Sequence, residues 1–226
     1  GFWHVAQGWA EAQLSPSDLR ELLKETEDEA AKKRLKTYFF EGELWNQMPE
    51  RAQRGLVDAD RAWHSTRAGR IEAIFNDLQV ATESLCYACI WEGLRSGKGK
   101  QSILDFVRRD AELQEGRRNP TLADHAWVCR QPFFKEFMAA HNLAQGEREF
   151  LTHELPSALD ELRRLRDVAQ HDPKRTWRKE EVTPIFKRFL GIGQEGVLPR
   201  LAGVQRKISS ATMNNKSARG QKSLQA

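Results

Sequence analysis

No stretch of the 226 residues stays apolar for the 18 or so positions that a membrane-crossing helix needs, so a membrane partner is not expected. The first residues carry Trp3 and His4 and lack an apolar signal core, so no secretory leader is read there. Cysteine is scarce: three in the chain, an odd number that does not build a disulfide framework at this length. Cys86 and Cys89 have CxxC spacing, but no second such pair and no histidine pair stands near them, and the stretch around them is apolar and helical. Two thiols in a helix core are the expectation, with no metal, no cofactor and a reduced, cytoplasmic setting. Ser96-Gly97-Lys98-Gly99-Lys100 has lysines and glycines without the GxxxxGK[ST] spacing or a preceding strand, so it does not read as a phosphate loop. Neither an alternating strand pattern nor an internal repeat is visible. The sequence opens on Gly1 and not on Met, which suggests a piece of a longer protein, with a regulatory domain or partner protein to match.

Acidic residues are absent from Gly196 onward, where Arg200, Arg206, Lys207, Lys216, Arg219 and Lys222 stand. Those six charges exceed the net +4 of the whole, so the rest of the chain nets −2 and overall charge does not argue for nucleic acid. The polar end from Ser209 to Ala226 reads as a disordered terminus.

What remains is rich in helix signals. Ser15-Pro16 supplies a cap and a first-turn proline for a helix to about Lys36, with Leu19, Leu22 and Leu23 as its stripe. Tyr38, Phe39, Phe40, Leu44 and Trp45 make an aromatic junction. A helix comes next from Pro49 to Trp63, with Ala52, Leu56, Ala59 and Trp63 on one side as core. Residues 67–95 keep a three-four rhythm (Ile71, Ile74, Phe75, Leu78, Ala81, Leu85, Cys89) as one long bundle helix. Shorter helices are expected over Ser102–Leu113, over Leu122–Cys129 capped by Thr121, and from Pro132 with Phe133, Phe134, Phe137 and Met138 inward. His125 and His141 fall on solvated or half-buried faces. Glu147–His171 is helical with a kink or restart at Pro156, Ser157 capping. Lys179–Leu190 and a short Leu198–Val204 close the bundle. The expected architecture is all-α: an N-terminal helical segment over 1–65, a bundle over 66–207 and a basic tail over 208–226.

Within Leu159–His171, Leu159, Leu162, Leu165 and Ala169 form the apolar stripe, and Arg163, Arg166 and Asp167 fall off it. Arg166 and His171 are five apart, about 140° round a straight helix, and a frayed last turn brings them together. Asp172-Pro173 stops the helix. Arg166-Asp167-x-x-x-His171 on a leucine-backed helix resembles the R-x4-6-H motif of HEPN domains, which prefer a polar residue after the arginine; the resemblance covers residues 66–205. Arg118–His125 and Arg148–His153 match the bare pattern too, but Pro120 puts the first in a loop and Glu149 spoils the second. The resemblance implies a helical bundle that works as a homodimer and cleaves RNA without a metal, as a toxin or antiviral effector.

Such cleavage needs a proton taken from the 2′-hydroxyl, one given to the 5′-oxygen, and charge stabilised on the phosphoryl oxygens. Histidine titrates near neutral pH, and the arginine fork fits a phosphate. One of each per chain is few, which a two-fold partner remedies. Arg166 and His171 are therefore the expected catalytic pair, with Asp167 orienting them. Around them Arg163, Lys174, Arg175 and Arg178 would hold RNA and Trp177 would stack a base. A plainer reading stands beside this one. Arginines among acids make a solvated helix face, and a histidine at a helix C-terminus complements the macrodipole. The chain is then a non-catalytic binding or sensor module.

Overall fold

The structure, a computed structural model, describes residues 16–65, 72–95, 104–116, 118–172, 175–192 and 195–223. It is all-helical, with no strand among the described residues. The order is α1 (Pro16–Tyr38), α2 (Leu44–Gln47), α3 (Glu50–His64), α4 (Ala73–Cys86), a π turn (Tyr87–Trp91), α5 (Glu92–Arg95), α6 (Leu104–Glu115), α7 (Leu122–Cys129), α8 (Pro132–Ala140), α9 (Gln145–Glu149), a second π turn (Phe150–Glu154), α10 (Leu155–His171), α11 (Lys179–Leu190) and α12 (Val197–Ser223). Ser15, the lysine-glycine stretch at 96–100 and Lys174 lie outside the described residues.

Local chemistry accounts for several boundaries. Asp124 Oδ2 accepts the Thr121 backbone N–H at 3.0 Å and its hydroxyl at 2.9 Å, which fixes the start of α7. Pro132 opens α8, where its missing N–H costs nothing. Gly191, in the left-handed region at φ 94°, ends α11.

One apolar core runs from Ala31 to Ile208. Helix α3 packs extensively against α4. Gly55 permits that approach: a Cβ there would lie 2.8 Å from the Asp77 carbonyl and 2.9 Å from the Ala81 nitrogen. Trp63 stacks flat on Phe186 of α11, and the buried residues of the described segment 16–65 share one core with the later helices. Cys86, Cys89 and Cys129 are free and buried, and burial pushes their thiols up.

Three expectations are corrected. Pro156 does stand at a restart, in the first turn of α10 directly after the π turn, but Ser157 does not cap. Helix α12 continues to Ser223, where disorder was expected from polarity; Leu198, Leu201 and Val204 seat its first turns in the core. His125 and His141 are buried in the core, against Trp91 and Phe137 respectively.

Candidate functional site

Helix α10 buries Leu155, Pro156, Ala158, Leu159 and Leu162. Arg166 comes four residues after Leu162 and seven after Leu159, so it stands within about 40° of both and continues the buried stripe. Its side chain is 24 % exposed, and Nη2 lies 2.7 Å from Asp167 Oδ1. Its Nε is buried without a partner. The expectation of an open Arg166 is thus met only in part.

The surroundings of Arg166 are acidic as well as apolar. Glu83 of α4 accepts Gln79 Nε2 at 2.8 Å and the Leu122 N–H, at the start of α7, at 3.1 Å. Burial pushes the Glu83 carboxyl up, while the positive charges of Arg166 and Arg51 act against that rise. Further along, Gln170 donates to Asn76 at 3.0 Å, so α4 and α10 run antiparallel with a polar seam between them. That seam anchors the inner side of α10.

His171 is exposed and still helical: the Asp172 N–H reaches the Val168 carbonyl at 3.1 Å. No frayed turn brings it toward Arg166. With the ladder intact the two side chains leave α10 about 140° apart, one toward α4 and one toward solvent. Within one chain they do not converge.

Of the residues expected to hold RNA, Arg163, Arg175 and Arg178 are exposed. Arg175 lies 3.2 Å from Glu181, and the Arg178 backbone N–H donates to Glu181 at 2.9 Å. Trp177 is a correction. It is 5 % exposed, packs edge-on against Phe75 at 4.8 Å and is covered by the Arg175 guanidinium at 4.1 Å. No nucleobase reaches it; it pins the segment between α10 and α11 to the core. The sequence hid this because basic neighbours surround an anchor as readily as a binding aromatic.

The other two arginine–histidine windows separate cleanly. His125 is fully buried with neither ring nitrogen bonded, and burial holds it down at about 3, so it is uncharged near neutrality. Arg148 is spent on the Leu143 carbonyl at 2.7 Å, and His153 bonds the neighbouring Thr152 hydroxyl at 2.8 Å. Among the described residues no group of three His, Cys, Asp or Glu is arranged to hold a metal.

No protein-family profile, curated protein or solved structure matches this chain. The reading of its function therefore rests on the chemistry of its own residues.

Two groupings escaped the sequence. Asp60, 2 % exposed, is gripped by Arg34 from α1 and lies beside His64, whose Nδ1 is 2.9 Å from the Asp60 carbonyl oxygen. Trp63, with Phe186 behind it, carries the Lys179 ammonium 4.6 Å from its ring centre. Both depend on partners from distant segments, which no local spacing signals.

Proposed function

We propose that this chain engages RNA and cleaves it without a metal, as an endoribonuclease of the HEPN type. The observation that carries the reading is His171: an exposed imidazole on the last turn of a core-anchored helix, with Arg163, Arg175 and Arg178 exposed nearby in the chain. His171 moves the proton between the 2′-hydroxyl and the 5′-oxygen, and Arg166 stabilises the phosphoryl charge. The centre is complete only when Arg166 and His171 face the same phosphate. That requires unwinding of the last turn of α10, or a second copy whose His171 stands opposite this chain's Arg166. Asp167 holds the Arg166 guanidinium until then. A 2′,3′-cyclic phosphate is the expected product.

The test is incubation with a labelled single-stranded RNA in the presence of EDTA. Cleavage that survives chelation and is lost in His171→Ala is expected; loss on chelation, or unchanged cutting by His171→Ala, rejects the assignment.

A second reading is favoured by the divergence of Arg166 and His171 around an intact helix. The chain is then a non-catalytic helical module that binds RNA or a partner protein. A chain that stays monomeric at micromolar concentration and leaves RNA intact supports it.

A further inference from the structure

Loss of Trp177 as a stacking residue leaves open which group would receive a base, and the fold offers another. Trp63 is the penultimate residue of α3 and half-buried. Phe186, itself buried, lies parallel to it at 4.4 Å with 7° between the planes. A phenyl ring so close leaves no room on that side, so the Lys179 ammonium, 4.6 Å from the centroid, covers the opposite face. Lys179 is exposed, and its four-carbon stem lets it leave.

Position matters as much as geometry. Arg188 binds Glu161 and reaches the Ser157 hydroxyl at 3.5 Å, which ties the C-terminal half of α11 to the N-terminal half of α10. At the other end Gln170, on the last turn of α10, bonds Asn76, and Trp177, just before α11, packs on the adjoining Phe75, so the end of α10 and the start of α11 meet over the same part of α4. Lys179 meets Trp63 at the start of α11, and His171, Arg175 and Arg178 are exposed on the residues that flank it in the chain. An indole backed by one ring and faced by a mobile cation suits an unstacked base with its phosphate.

We propose that Trp63 is a nucleobase-stacking platform: an unstacked base of single-stranded RNA takes the indole face under Lys179, and the ammonium passes to the adjoining phosphate. This rests on the RNA reading above, and it adds the residue that receives a base.

The test is binding of a fluorescein-labelled single-stranded RNA whose 2′-hydroxyls are methylated, so that the nucleophile is absent and the probe stays whole, monitored by anisotropy, with melting curves recorded for every variant. Trp63→Leu is expected to weaken binding by about 5- to 150-fold, the range for one lost aromatic–base stack. Trp63→Phe keeps the ring and is expected to retain most affinity while losing the indole quenching that unlabelled RNA produces in the unaltered chain. Unchanged affinity in Trp63→Leu, quenching that persists in Trp63→Phe, or no binding of single-stranded RNA overturns the platform. If Trp63→Leu does not fold, the quenching arm decides. Unmethylated RNA that is bound through Trp63 but never cut removes the nuclease and leaves the platform. Cutting that Trp63→Leu carries out with unchanged KM removes the platform and leaves the nuclease.

Discussion

Asp77→Asn is expected to stabilise this protein above neutral pH and to leave it unchanged in acid. Asp77 lines a groove of about 430 Å³ between α3 and α4, shared with Arg54, Gly55 and Asp58. Burial there, with Asp58 adding repulsion and Arg61 giving partial relief, raises its carboxyl from 3.8 to about 7. A raised carboxyl keeps a proton in the folded chain that the unfolded chain has already released. Stability therefore falls as pH climbs from about 4 to about 7 and is level beyond. A gap of about three pH units at about 1.4 kcal/mol each gives about 4 kcal/mol for an enclosed group. The groove is open to water, and screening reduces this to about 1–2 kcal/mol. Asparagine has the same shape and no charge to bury. Thermal melts of both proteins from pH 4 to pH 8.5 should separate only above pH 5, with the variant higher by about 2–4 °C per kcal/mol for a chain of this size. Equal melting temperatures at pH 8, or a gap of the same size at pH 4, would refute the assignment of a buried charge to this carboxylate.

Gly55→Ala should cost about 1–3 kcal/mol, because both nearest atoms to the new Cβ are backbone of α4 and cannot move aside; chemical denaturation measures it, and a neutral result would mean that α3 and α4 sit further apart. Arg34→Met should cost about 2–4 kcal/mol by leaving the enclosed Asp60 carboxylate without its guanidinium, and the double variant with Asp60→Ala should recover much of that loss in the same assay. Asp124→Ala removes the cap of α7 and the Arg109 ion pair and should lower stability by about 1–2 kcal/mol. The three thiols should resist a thiol-specific reagent in the native state and react together on unfolding, and prompt labelling of even one would contradict their burial.

The helices were legible wherever a local device marks them. Thr121 with Asp124, Pro132, and the Lys179–Leu190 stripe stand at the places their chemistry dictates. The candidate site was legible only as a segment. Leucine spacing located α10, but whether Arg166 points outward depends on how the helix seats against α7 and α4. The spacing of Arg166 and His171 held two outcomes, and the unbroken ladder to Asp172 chose the divergent one. Trp177 and Trp63 exchanged expectations for a related reason. Both are tryptophans near lysines and arginines, and only long-range contacts with Phe75 and Phe186 decide which is enclosed. The π turns left no mark at all, since Tyr87–Trp91 and Phe150–Glu154 fit ordinary helical spacing.

The turn at Phe150–Glu154 acts as a phase-setter for everything after it. Each π turn admits one residue more than an α-turn, and one residue is worth about 100° of rotation. Removing a single residue there would leave a helix over Leu155–His171 yet roll its whole circumference, carrying Leu159 and Leu162 out of the interior and turning other side chains toward α4. One surplus residue upstream thus decides which way the arginine and the histidine look.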